Sequence, residues 1–184
     1  MDNGAISYRR FLDGDTDGFV DIVKEYKDGL TLFLETIVGN LSAAEELAED
    51  TFVKLGVKRP HFSGKSSFRT WLYAIGRNLA IDALRKQHRR ETVPLEDCIE
   101  LAAPELPETE YLREERRMTV YQAMRRLRAD DRQALWLIYF EGFSYREAAG
   151  MMKKTTHSLE TLAYRARQAL KSELIREGFP DEDL

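Results

Sequence analysis

Between residues 91 and 115 the chain sets nine acidic side chains against one basic one, Arg113, and interrupts them with Pro94, Pro104 and Pro107. Like charges repel and prolines withhold backbone donors, so such a stretch resists packing and is expected to run extended as a linker. It divides the 184 residues into two pieces, each the size of a small domain. The boundaries expected are an N-terminal domain over 1–90, an acidic, proline-containing, flexible linker over 91–112 and a C-terminal domain over 113–184.

Both flanking pieces read as helical. Residues 1–15 are polar and expected to fray, apart from Tyr8, Phe11 and Leu12. Phe19, Ile22, Val23 and Tyr26 mark a first helix, and Leu30, Phe33, Leu34, Ile37 and Leu41 a second that stops near Gly39-Asn40. Ser42 with Glu45 three residues on reads as a capping box opening a third helix over about 43–57. Ala44, Leu47, Ala48, Thr51 and Leu55 form its buried face, with Glu45, Glu46, Glu49, Asp50, Phe52, Lys54 and Lys58 on the other sides. In residues 62–90, FSGKSSFRTWLYAIGRNLAIDALRKQHRR, a polar loop enters a helix whose apolar face is Phe68, Leu72, Ile75, Leu79 and Ala83.

Beyond the linker, Met118, Tyr121, Met124 and Leu127 line one helix face. Asp130 or Asp131 is expected to cap the next helix, which holds Ala134, Leu135, Leu137 and Ile138 inside and stops at Gly142. Ser144 and Glu147 form a second capping box, opening a short helix. After Lys153-Lys154-Thr155 a longer helix carries Leu159, Leu162, Ala163, Ala166 and Leu170 inward. Short helix, tight polar turn and longer helix make a helix-turn-helix. The fold class expected is all-α, with two small helical domains.

Charge narrows the function. The chain is 43% hydrophobic and 33% charged with net charge −4, yet residues 65–90 hold seven basic side chains against Asp82 alone. Cations interleaved with aromatic rings suit single-stranded nucleic acid, whose phosphates they track and whose bases they stack. An amphipathic helix with Trp71 in the core and a solvated basic tail fits the same pattern. Residues 151–176 hold six basic side chains against two acidic ones. With Leu159 at the centre of the buried face, His157, Thr161, Tyr164 and Gln168 fall opposite and Arg165 flanks them.

Catalysis finds no support. Cys98 is the only cysteine, and His61, His88 and His157 form no ligand spacing with it. No glycine-rich phosphate loop or nucleophile–base pair is visible, and no cofactor is expected. No run of eighteen apolar residues or signal peptide is seen, so membrane insertion is not expected.

The run F-x-G…S-S-F-R-T-W-L-Y-x-I-x-R-N-x-x-x-D-x-L-R-K, from Phe62 to Lys86, resembles the promoter-melting segment of the extracytoplasmic-function (ECF) group of bacterial sigma-70-family RNA polymerase sigma factors. Leu127, Arg132, Leu135, the run Tyr139 to Ala149, and Tyr164 to Leu170 resemble the same group's C-terminal promoter-reading domain. AEELAEDTF, residues 44–52, resembles the surface with which that group docks on the polymerase β′ clamp helices. The likeness spans roughly 11–90 and 113–177.

The resemblance implies a cytoplasmic sigma factor, not an enzyme, that binds core RNA polymerase, selects promoters and opens DNA at the −10 element. For capture of the −10 strand it implies Lys65, Ser66, Ser67, Arg69, Trp71, Tyr73, Arg77, Asn78, Arg85, Lys86, Arg89 and Arg90. For duplex reading at −35 it implies Lys153, Lys154, Thr156, His157, Ser158, Thr161, Tyr164, Arg165 and Gln168. For core polymerase it implies Glu46, Glu49, Asp50, Phe52 and Lys54, with the β flap as a second contact and an anti-sigma factor as a further partner. Leu159-Glu160-Thr161-Leu162 stands where the family usually has valine-lysine-serine-arginine, so one phosphate-pairing lysine is replaced by Glu160 and one arginine by Leu162. The other reading is a polymerase-independent helix-turn-helix regulator with an N-terminal oligomerisation or sensing domain.

Overall fold

In the N-terminal half an uninterrupted helix stands where two were expected. In the computed structural model, which describes residues 2–90 and 118–179, helix α2 runs Thr16–Val38 from an Asp15 cap to Gly39 at φ 75°. The expected division between Tyr26 and Leu30 does not occur, because Ile22, Tyr26, Leu30, Phe33, Leu34 and Ile37 keep one helical face in the core throughout. Gly39 closes the helix in the left-handed conformation, its N–H donating to the Glu35 carbonyl.

The N-terminus is a helix as well, not a frayed end. Helix α1, Asn3–Leu12, buries Tyr8 and Phe11, and the small residues Gly4 and Ser7 let it lie close. A Cβ at Gly4 would stand 2.5 Å from the Phe68 ring, and one at Gly18 would stand 2.4 Å from the Ser7 carbonyl oxygen. Helix α3 runs Leu41–Lys58, and its cap is Asn40, whose side chain accepts from the Ala43 N–H at 2.9 Å. Ser42, the expected cap, lies within the first turn. Helix α4, Phe68–Arg90, opens at Ser67, whose hydroxyl accepts from the Thr70 N–H at 3.1 Å. Tyr8, Phe62, Phe68 and Trp71 pack ring against ring where α1 meets the start of α4.

The described part of α5 covers 118–126. Helix α6, Ala129–Leu135, starts at Arg128 without a side-chain cap, and Asp130 and Asp131 sit in its first turn rather than capping it. It continues as one wide π turn, Trp136–Phe140, before Gly142 at φ 67°. Helix α7, Tyr145–Met152, carries the expected Ser144–Glu147 capping box in full. Helix α8, Thr156–Arg176, opens at Thr155. Every regular element among the described residues is helical. The linker, with Cys98, lies outside the described residues. The two helical groups pack together, α2 against α6 and α4 against α7.

One carboxylate serves two helix starts. Asp2 accepts from the Ala5 N–H at 3.2 Å and from the Phe68 N–H, joining the first turns of α1 and α4. Asp2→Ala should therefore lower stability by about 1–2 kcal/mol, whereas Ser42→Ala should stay within about 0.5 kcal/mol of the parent. Urea unfolding followed by circular dichroism measures both, and equal effects would contradict the capping assigned here.

Candidate nucleic-acid interface

The helix-turn-helix separates its faces cleanly. Leu159, Leu162, Ala163 and Ala166 of α8 are buried, while Thr156, His157, Ser158, Thr161, Tyr164, Arg165 and Gln168 are exposed on the opposite side. Lys153, exposed, takes the left-handed conformation at φ 55° that turns the chain between α7 and α8. Lys154 is half-buried and pairs with Asp130 at 2.9 Å, so its charge is already engaged within the domain.

Helix α4 presents a divided set. Lys65, Ser66, Asn78, Arg85 and Lys86 are exposed. Arg89 and Arg90 belong to the helix, but their side chains lie outside the described residues. Trp71 is half-buried in the aromatic cluster, with 5.1 Å between its ring centroid and that of Phe62. Tyr73 and Arg77 were expected on the DNA side, yet they are only 1% and 8% exposed. The buried face of α4 is thus Phe68, Leu72, Tyr73, Arg77 and Ala80, with Ile75, Leu79 and Ala83 partly exposed.

The cause is the C-terminal group, which covers that side of α4. Glu141, just after the π turn, receives Arg69 on its carboxylate and, at 2.7 Å, on its backbone carbonyl. The Tyr73 hydroxyl donates to the same carboxylate at 2.9 Å and the Trp136 indole N–H at 3.3 Å. The Arg69 guanidinium also lies 4.4 Å from the centre of the Phe143 ring. Beside it, the Thr70 hydroxyl donates to Glu147 at 3.0 Å and shares a 2.7 Å hydrogen bond with Ser67. Arg77 donates to Gln133 at 3.0 Å. Farther along, Arg132 donates to the Thr36 carbonyl at 2.6 Å and Arg125 to that of Gly39 at 3.4 Å, placing two cations at the C-terminal end of α2.

These surroundings shift proton affinities. Burial, with the nearby Glu141 carboxylate, pushes the Tyr73 hydroxyl well above its ordinary value. Burial pushes the Arg77 guanidinium down, with Asp130 acting in the opposite direction.

On α3, Glu46, Glu49, Asp50 and Lys54 are exposed, but Phe52 is only 5% exposed and belongs to the core. The helix buries a wider arc than the one drawn through Thr51 and Leu55. Exposed apolar surface comes from Val53 and Val57 instead. With Phe19, Val23, Phe52 and Gly56 they line an open groove of about 490 Å³ beside Glu49. The sequence reading missed this groove, and the valines at 53 and 57, one helical turn apart on an otherwise charged side, were the available signal.

Comparison with known proteins matches both halves. Residues 22–90 fit the family model Sigma-70 region 2, and residues 117–170 fit Sigma-70, region 4. The chain is 32% identical to the RNA polymerase sigma-H factor of Pseudomonas aeruginosa, over 88% of this chain and 88% of that protein. It is 30% identical to the ECF RNA polymerase sigma factor SigW of Bacillus subtilis, over 88% of this chain and 91% of that one. Among solved structures, the sigma factor RpoE of Bartonella quintana in complex with the anti-sigma factor NepR superposes with a TM-score of 0.71 at 27% identity, covering 89% of this chain and 99% of that chain.

Glu147 carries a pH dependence. Hydrogen bonds from Ser144, Thr70 and Ser67 outweigh its partial burial and hold its carboxyl below the ordinary value of 4.5. A carboxylate lowered on folding stabilises fully above its unfolded-state value and loses that contribution as pH falls through the folded-state value. Glu147→Gln should cost about 1 kcal/mol at neutral pH, and the gap to the parent should close in acid below pH 4.5. Unfolding midpoints at neutral pH and in mild acid measure it; a gap independent of pH would contradict the assignment.

Proposed function

Because the chain belongs to the ECF group of the sigma-70 family of RNA polymerase sigma factors, we propose that its exposed faces divide promoter reading and polymerase docking between them. As a sigma factor it binds RNA polymerase and directs it to promoters, a role met by binding and not by covalent chemistry. The polymerase-independent regulator is not favoured, since sigma models match both halves.

The outer face of α8 reads the −35 duplex: Thr161, Tyr164, His157 and Gln168 address base edges, while Lys153 and Arg165 hold phosphates. The loop from Lys65 to Ser67 and the exposed Asn78, Arg85 and Lys86 of α4 capture the unpaired −10 strand. Asn78 has an amide that both donates and accepts, which suits it to a base edge. Trp71, half-buried in the aromatic cluster, joins them, as do Arg69, Tyr73 and Arg77 once the C-terminal group leaves α4. Glu46, Glu49, Asp50 and Lys54, with the apolar groove at Val53 and Val57, dock on the β′ clamp helices, and the C-terminal domain docks on the β flap. An anti-sigma factor is proposed as a further partner by likeness to the relative solved with one. Among the described residues no helix is long and apolar enough to cross a membrane. The cytoplasm is proposed as the place of action by likeness to the sigma factors it matches. The proposed domain limits remain 1–90 and 113–184.

The observation that carries this reading is the exposed polar face of α8, set directly opposite an apolar one in a helix-turn-helix. Opening then requires only that unpaired bases be held more favourably on the protein than in the duplex. Asn78→Ala should lower open-complex formation roughly tenfold to a hundredfold, for one or two lost base contacts, with closed-complex binding largely kept. Permanganate footprinting with reconstituted holoenzyme measures it. If the parent protein yields no reactive thymines on any promoter it binds, the reading fails.

A further inference from the structure

Of the two acids on α8, Glu173 pairs with Arg176 at 2.7 Å, one turn on. Glu160 is exposed and has neither hydrogen bond nor ion pair among the described residues. Helical spacing sets it beside Thr161 and one turn before Tyr164, so it stands on the side of α8 turned away from the core. A carboxylate there is repelled by DNA phosphates and gains nothing from the backbone. Only a base edge can satisfy it.

Its neighbours narrow the choice of base. Thr161 spends its one hydroxyl hydrogen on the His157 carbonyl at 3.1 Å, leaving lone pairs to face outward. Glu160 likewise accepts only. Arg165 and Gln168, about one to two turns farther along, supply donors. Phosphate holding has a separate place in the turn before the helix, where Lys153 is exposed at φ 55° with no ion pair among the described residues. The first part of the outer face therefore offers acceptors, and the later part donors.

In the major groove guanine presents two acceptors, and thymine an acceptor and a methyl group. Adenine presents a donor beside the N7 lone pair, whereas cytosine presents a donor alone, its N4 amine. A face that can only accept is left unsatisfied by guanine and thymine and is repelled by adenine N7. Cytosine matches it.

We propose that Glu160 is a specificity-determining residue, its carboxylate accepting from the N4 amine of one cytosine in the upstream promoter element. The role depends on α8 lying against that duplex, as proposed above. Discrimination comes as much from the penalty on other bases as from the bond formed with cytosine.

Reconstituted holoenzyme is used to capture duplexes randomised across the upstream element, and sequencing the captured pool gives the base preference at each position. The parent should favour cytosine roughly tenfold at one position. Glu160→Ala should flatten that position alone. Glu160→Gln, whose amide both donates and accepts, should move it towards adenine. Both changes lie on the surface, and parental circular dichroism confirms the fold. Tyr164→Ala in the same selection tells the failures apart. A parent pool with no cytosine position overturns the role of Glu160. So does a Glu160→Ala pool with the parent's preferences, while a shift for Tyr164→Ala leaves α8 as the reading helix. If Glu160→Ala binds every sequence more tightly with preferences unchanged, the carboxylate is a repulsive charge and the role is again overturned. Preferences unmoved by all three variants overturn the assignment of α8 itself, and Glu160 with it.

Discussion

A carboxylate buried between two helical groups loses several kcal/mol of hydration and is tolerated only where donors replace the water. Glu141 meets that demand with Arg69, the Tyr73 hydroxyl and the Trp136 indole. The local backbone makes this possible. A wide π turn lets the Glu141 N–H donate to the Trp136 carbonyl at 3.0 Å, and Gly142 at φ 67° then turns Phe143 back, so that its N–H reaches the Leu137 carbonyl at 2.9 Å. The acid and the Phe143 ring thereby converge on a single arginine, Arg69, while the indole donates to the acid. On the other wall, a Cβ at Gly29 would stand 2.6 Å from the Tyr73 hydroxyl and 3.3 Å from the Glu141 carboxylate, so α2 can lie this close only with glycine there.

The remainder of the molecule follows a different economy. The N-terminal group is held by apolar and aromatic packing of Tyr8, Phe33, Phe68 and Leu72, which yields folding energy in proportion to buried area. The C-terminal group is held likewise by Leu135, Leu137, Leu159 and Met151. Between them lie hydrogen bonds, whose net worth is small because water replaces them, together with apolar contact: the Tyr73 and Phe143 rings meet edge to face at 5.2 Å, and the buried apolar residues of both groups form one cluster.

Local signals carried far. The capping box at Ser144, the stop at Gly39 and the alternation of faces along α8 were legible because neighbouring residues alone decide them. Every residue named on α8 is exposed, whereas Lys154, just before that helix, is half-buried against Asp130, which lies across the domain. Helix α1 was missed because its burial depends on Gly4 and Ser7, residues whose smallness gives no hydrophobic signal. Asn40 was passed over for Ser42 because both suit a cap, and only the backbone entry angle chooses between them. The burial of Tyr73 and Arg77 has a long-range cause: Glu141 and Gln133, which cover them, are 68 and 56 residues away in the chain. A single helix's periodicity cannot reveal a second domain resting on its polar side.

The two helical groups that pack together in the free chain must part for the chain to reach both promoter elements at once. Resonance energy transfer tests it, with dyes at Lys24→Cys on α2 and Ser172→Cys on α8, both exposed, in a Cys98→Ser background. Efficient transfer is predicted for the free protein and its collapse for the complex with core polymerase and promoter, where about 25 base pairs hold the reading elements roughly 80 Å apart. Transfer that stays efficient in a complex actively making transcript would contradict the account.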